Sequence, residues 1–115
     1  MNKYGWLRGC QLALLVVVAG AARLARGEEQ PPEIRLVDGR FEPSELVVPA
    51  DTPFTIRVTN ASDAALEFES FELHRERVVQ SGETILVRFP AVAPGSYYFF
   101  DDFNSSVPHG AIVVK

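Results

Sequence analysis

Cysteine is almost absent from this chain. Among 115 residues there is one, Cys10, and it lies in an N-terminal segment unlike the rest. Lys3 and Arg8 precede an apolar run over residues 12–22, shorter than the roughly 20 apolar residues a membrane span requires. Ala25-Arg26-Gly27 then supplies small residues on either side of an arginine, as a signal-peptidase site does. Residues 1–27 therefore read as a secretory signal peptide cut before Glu28, with the mature chain periplasmic or secreted. Leu7-Arg8-Gly9-Cys10 has the composition of a lipobox but precedes the apolar run instead of following it, so lipidation is not expected. Without Cys10 the mature chain can form no disulfide, no thiolate metal site and no cysteine nucleophile.

Basic charge is scarce as well. Four of the 11 Lys and Arg residues lie before Glu28 and all 15 acidic residues lie from Glu28 onward, so a formal charge of −4 for the whole chain becomes −8 for the remaining 88 residues. A polyanion would be repelled, which excludes nucleic acid as an expected partner and turns attention to cations. Catalytic signatures are missing too: there is no nucleophile elbow, phosphate loop or paired-histidine zinc helix.

What is present is a series of short β-rich runs between turn signals. Residues 28–33 are polar and proline-paired, a flexible lead-in to a single domain over 34–115. Ile34–Val37 stops at Asp38-Gly39, Leu46–Val48 at Pro49, and Phe54–Thr59 at Asn60-Ala61-Ser62-Asp63. Ala65–Ser70 alternates Leu66 and Phe68 against Glu67 and Glu69, giving one apolar and one acidic face. Runs at Thr84–Phe89, Tyr97–Phe100 and Ala111–Val114 follow, with residues 73–79 ambiguous. Seven or eight strands without a helical stripe predict an all-β, Greek-key antiparallel sandwich. Phe41-Glu42-Pro43, Ser81-Gly82 and Pro94-Gly95 read as turns, the last with a positive φ at glycine. The aromatic cluster Tyr97, Tyr98, Phe99, Phe100 and Phe103 reads as core and rim packing.

The succession FEPSELVVPADTPFTIRVTN, a Gly82 hairpin, PGSYYFF and a closing GAIVV strand resembles the cupredoxin family along nearly the whole mature chain. Blue-copper members of that family hold copper with two histidines, a cysteine and usually a methionine. Alignment on the flanking residues puts Leu66, Asp101, Asn104 and Pro108 at those positions, so a blue-copper centre is not expected. EFESFELHRERVV and PGSYYFFDDFNSSVPHG instead resemble the iron-transport-associated, EfeO-type cupredoxin-like domains of bacteria. The resemblance implies a periplasmic metal-binding accessory protein of iron uptake, with iron or copper as the ion and possible assistance of Fe(II) oxidation. It also implies a membrane iron permease and other periplasmic uptake proteins as partners. Asn104 stands where that group commonly has a histidine, and His109 is the nearest one.

The candidate ligands are Glu67, Glu69, His74, Glu76, Asp101, Asp102 and His109. Glu67 and Glu69 are two apart on a strand, hence on one face and about 7 Å apart by strand rise. His74 and Glu76 form a second such pair if their stretch is a strand. Asp101 and Asp102 are adjacent and point to opposite faces, and family topology puts Asp101 near the glutamates, with Asp102 toward solvent or a turn. His109 opens the last strand, at the metal rim of the family. Carboxylates with imidazole suit iron, manganese, Cu(II) or zinc. The alternative is a metal-free interaction module that keeps the sandwich without the site.

Overall fold

Apolar–polar alternation over short runs gives a pleated strand one dry and one wet face. A computed structural model describes residues 30–115, and nine such strands are found there. The signal-peptide reading of residues 1–27 lies outside the described residues. In chain order the strands are β1 (Glu33–Val37), β2 (Arg40–Glu42), β3 (Glu45–Val48), β4 (Phe54–Asn60), β5 (Leu66–Ser70), β6 (Arg75–Val79), β7 (Thr84–Phe89), β8 (Gly95–Asp101) and β9 (Gly110–Val114). They form a four-stranded sheet, β2-β1-β4-β7, and a five-stranded sheet, β3-β9-β8-β5-β6.

The all-β sandwich expected from the sequence is the observed architecture, with three differences. Phe41 and Glu42 belong to β2 and not to a turn, because the Phe41 ring is needed in the core, where it is buried. β1 pairs with β4, and β3 with β9, in parallel. The chain leaves the first sheet after β2, forms the edge of the second as β3 and returns as β4, a crossover long enough for parallel neighbours. Gly95 is the first residue of β8 and does not have the positive φ expected of it. Asp38 and Gly39 do, at 52° and 73°, which is the type I′ geometry that joins β1 to β2 without splaying them.

Ile34, Leu36, Ile56, Val58, Val87 and Phe89 of the first sheet meet Leu66, Phe68, Phe99, Ile112 and Val114 of the second. Phe99 is central, edge-on to Phe41 at 4.9 Å between centroids and tilted against Phe68 at 5.2 Å. Across the β8–β9 ladder it faces Gly110, where an added Cβ would lie 2.2 Å from the ring. Only hydrogen fits there.

Asn60, fully buried at the end of β4, ties the loops together. Its amide donates to the carbonyls of Ala64 and Val79 at 2.8 and 2.9 Å. Its Oδ1 accepts from Ser62 N–H and the Ser62 hydroxyl. The chain therefore enters β5 from a fixed point.

Candidate functional site

β5 carries the acidic face. Leu66, Phe68 and Ser70 point inward, which leaves Glu67 and Glu69 half-buried on the outer face of the five-stranded sheet. A four-residue turn, Phe71 to His74, connects β5 to β6, held by His74 N–H donating to the Phe71 carbonyl and by Leu73 tucked into the core. That turn sets the register in which Glu69 faces Glu76 and Glu67 faces Val78. Glu67, Glu69 and Glu76 thus share one face, and one carboxylate oxygen of each lies within 4.8 Å of the others. Two carboxylates expected about 7 Å apart from strand rise alone are drawn into a three-membered cluster by the hairpin.

The two adjacent aspartates divide as their alternation requires: Asp101 lies beside Glu67 as expected, but points into the sandwich, and Asp102 is exposed. Asp101 pairs in register with inward-pointing Phe68, so it is buried, and its Oδ1 accepts from the backbone N–H groups of Glu67 and Phe103 at 3.1 and 3.0 Å. It holds β5 and the β8 end together from below the site. Asp102 is the residue on the outer face, its N–H donating to the Glu67 carbonyl at 2.9 Å.

His74 does not pair with Glu76 along a strand, because β6 begins at Arg75 and His74 closes the turn with φ of 54°. It lines a small surface hollow with Glu69 and Glu76. His109, on the loop into β9, stacks on Phe100 at 5.2 Å and lines a larger cavity with Asp102. Of the seven candidates, Glu67, Glu69 and Glu76 converge, Asp102 lies beside Glu67, His74 borders the cluster, His109 lines the larger cavity with Asp102, and Asp101 is buried beneath with its Oδ1 on the Glu67 N–H.

Among the described residues no arginine or lysine forms an ion pair with the cluster. Arg75 and Arg77 flank Glu76 in sequence, but the hydrogen bonds their guanidinium groups make go to backbone carbonyls, three from Arg75 and one from Arg77. Among the described residues the ion pairs join Glu33 to Arg35 and Arg57, and Glu42 to Arg40. Burial raises the Glu67 carboxyl from its ordinary 4.5 to about 7, helped by the hydrogen bond to Asp102 and by the negative charges of Glu76, Asp102 and Glu69. Glu69 is raised by burial, then by Asp102 and Glu76. Such a set holds a proton readily, and a cation placed among the oxygens would replace it.

The cupredoxin-like domain family model matches residues 10–114. The chain belongs to that family. A curated relative, an uncharacterized protein of Rickettsia prowazekii (strain Madrid E), is 37% identical over 83 residues, 72% of this chain and 66% of the relative. The chain thus spans just under two thirds of that protein. Among solved structures, the metal-binding domain of the Cu(I)-exporting P-type ATPase CopA of Streptococcus pneumoniae superposes with a TM-score of 0.64 at 18% identity, covering 72% of this chain and 82% of that one. A purple cupredoxin of Nitrosopumilus maritimus superposes at 0.57 and 16% identity, covering 73% and 99%. An oxidized amicyanin variant does so at 0.60 and 14%, covering 76% and 84%. These likenesses establish the fold.

At the end of this cupredoxin-like sandwich where the sequence aligns with the blue-copper ligands, Leu66 is fully buried and Asp101 is engaged by two backbone N–H groups. Asn104 Oδ1 accepts from Ser106 N–H and its hydroxyl. The adjoining hollow of about 320 Å³ is lined by neither thiol nor imidazole. Of the oxygens there, Asp101 Oδ1 and Asn104 Oδ1 already accept hydrogen bonds from the protein. The residues missed by sequence reasoning are Phe71, Tyr98 and Phe100, which with Glu72 line the larger cavity. The spacing of Tyr98 and Phe100, two apart on a strand, is the one signal in the sequence that could have shown them on a common face.

Proposed function

We propose that this cupredoxin-like protein is an exported metal-binding accessory of iron uptake, with copper as the alternative ion, and that it captures its cargo on the outer face of the five-stranded sheet. The observation that carries this reading is the convergence of Glu67, Glu69 and Glu76 within 4.8 Å with no arginine or lysine partner among the described residues. An all-oxygen set favours a hard cation, and Fe(III) over Fe(II), so capture here would also favour oxidation of Fe(II) by an external acceptor. Glu67-Phe68-Glu69-Ser70, the segment that resembles the EfeO-type domains, supplies two of the three carboxylates. The expected setting is the periplasm, and the expected partners are a membrane iron permease and its accessory proteins. The occupied oxygens around Asp101 and Asn104 support a site other than blue copper.

A second reading, a metal-free cupredoxin-fold interaction module, is favoured by the exposed rings of Phe71, Tyr98 and Phe103. Metal analysis of untagged protein purified from an exporting host separates the two. About one iron or copper per chain supports capture; metal at trace level only supports the interaction module.

A further inference from the structure

Beside the acidic cluster, on the same face of the sheet, is a cavity of about 550 Å³, within the usual range of small-ligand sites. Its walls are rings. Phe71, from the β5–β6 turn, stands edge-on to Phe100 at 5.0 Å with 61° between planes, and His109 stacks on Phe100 at 5.2 Å with 28° between planes. Tyr98 completes the lining two residues before Phe100. Phe71 and Tyr98 are 69% and 58% exposed, so these rings are not there to fill the core.

Two exposed carboxylates accompany the rings, and a third lining residue, Asp101, is buried with its Oδ1 engaged by two backbone N–H groups. β5 ends at Ser70, which leaves the Tyr98 N–H without a strand partner on that side, and Glu72 Oε1 accepts from it at 3.1 Å. The hydrogen bond fixes a carboxylate at the cavity that would otherwise sweep through solvent, with its second oxygen free. Asp102 supplies the other, and neither lysine nor arginine lines the space.

Each ligand class meets this lining differently. A hydrated metal ion gains nothing from aromatic walls and keeps its water. A neutral apolar molecule leaves two carboxylates unanswered. An ammonium cation wrapped in methyl groups offers both an apolar skin to the ring faces and a positive charge to the quadrupoles and carboxylates. The geometry points to a binding site for a small N-methylated ammonium compound, with Phe71, Tyr98 and Phe100 enclosing the head group and Glu72 and Asp102 opposing its charge. This site does not depend on metal capture, although Asp102 borders both.

The test is titration of the purified protein, expressed from the full chain, with choline chloride and with choline's uncharged isostere in which carbon replaces the ammonium nitrogen, read by backbone amide NMR shifts. The expected result is saturable shifts centred on Tyr98, Phe100 and His109, with choline binding about tenfold more tightly than the isostere. Tyr98→Ala, at an exposed position, should weaken choline binding by a similar factor while amide shifts away from the cavity stay in place. Glu76→Gln, which removes one of the three clustered carboxylates but does not line this cavity, should leave choline binding within about twofold, so that failure of metal capture does not carry over to this site. Equal affinity for the isostere, shifts that do not saturate, or an inert Tyr98→Ala would overturn the proposal.

Discussion

Glu69 and Glu76 face each other across the β5–β6 hairpin, and their carboxylate oxygens come within 4.8 Å with Glu67 alongside. Like charges directly opposite on adjacent strands destabilise a sheet unless something neutralises them. A proton can do so, and a metal cation can do so better. The consequences below follow from that competition.

The first concerns acid–base behaviour of the metal-free protein. Glu67 has a folded-state pKa of about 7 against an ordinary 4.5. Between those values the folded chain holds a proton that the unfolded chain has released, so stability falls as pH rises through the window. The favourable contribution is complete below about 4.5 and lost above about 7. Urea midpoints measured across this range should decline with pH, and Glu67→Gln should flatten the decline. An unchanged slope in the variant would remove Glu67 from the cluster.

Metal binding should show the opposite dependence. A cation must displace the proton on Glu67, so affinity should rise as pH goes from about 5 to about 7.5 and protons should be released on binding. Calorimetry in buffers of different ionisation enthalpy measures the number released. A chelator should return the protein to its metal-free titration behaviour.

Asp101 is predicted to support the fold without touching the ion. Removing its carboxylate orphans two backbone N–H groups, so Asp101→Ala should cost about 1–3 kcal/mol in stability. Metal affinity of the folded fraction should stay within about twofold. Asp102→Ala should do the reverse, weakening the metal while leaving the denaturation midpoint close to wild type.

Gly110 is the most constrained glycine of the sandwich. A methyl group there would meet the Phe99 ring at 2.2 Å, so Gly110→Ala should destabilise by about 1–3 kcal/mol or more. Shrinking the ring in the double variant Gly110→Ala with Phe99→Leu should recover part of that loss, as a double-mutant cycle would show.

These residues also mark how far the sequence could be read. The two-residue alternation of Leu66, Glu67, Phe68 and Glu69 was legible because pleating acts locally, and the structure keeps it. Glu76 could be named as a candidate, but its place opposite Glu69 depends on the length of the Phe71–His74 turn, and the same turn removes His74 from the strand. That Asp101 and Asp102 part company followed from alternation. Which one faces the glutamates is fixed by the pairing of Phe68 with Asp101, a contact across 33 residues that no local pattern encodes. The aromatic cavity is assembled from β8, the β5–β6 turn and the loop before β9, so it existed only as scattered rings in the sequence. Gly95 shows the converse: a Pro-Gly pair has turn chemistry, yet strand pairing with Val114 holds it extended.

The central claim is that the clustered glutamates hold a metal ion. Calorimetric titration of wild type and of the Glu67→Gln, Glu69→Gln double variant with Fe(III), Fe(II) and Cu(II) tests it most directly. The account predicts one ion per chain in the wild type and a loss of at least about tenfold in affinity in the variant, with both proteins equally folded. Indistinguishable binding by the two proteins, or heat no greater than that of an unrelated acidic protein, would contradict it.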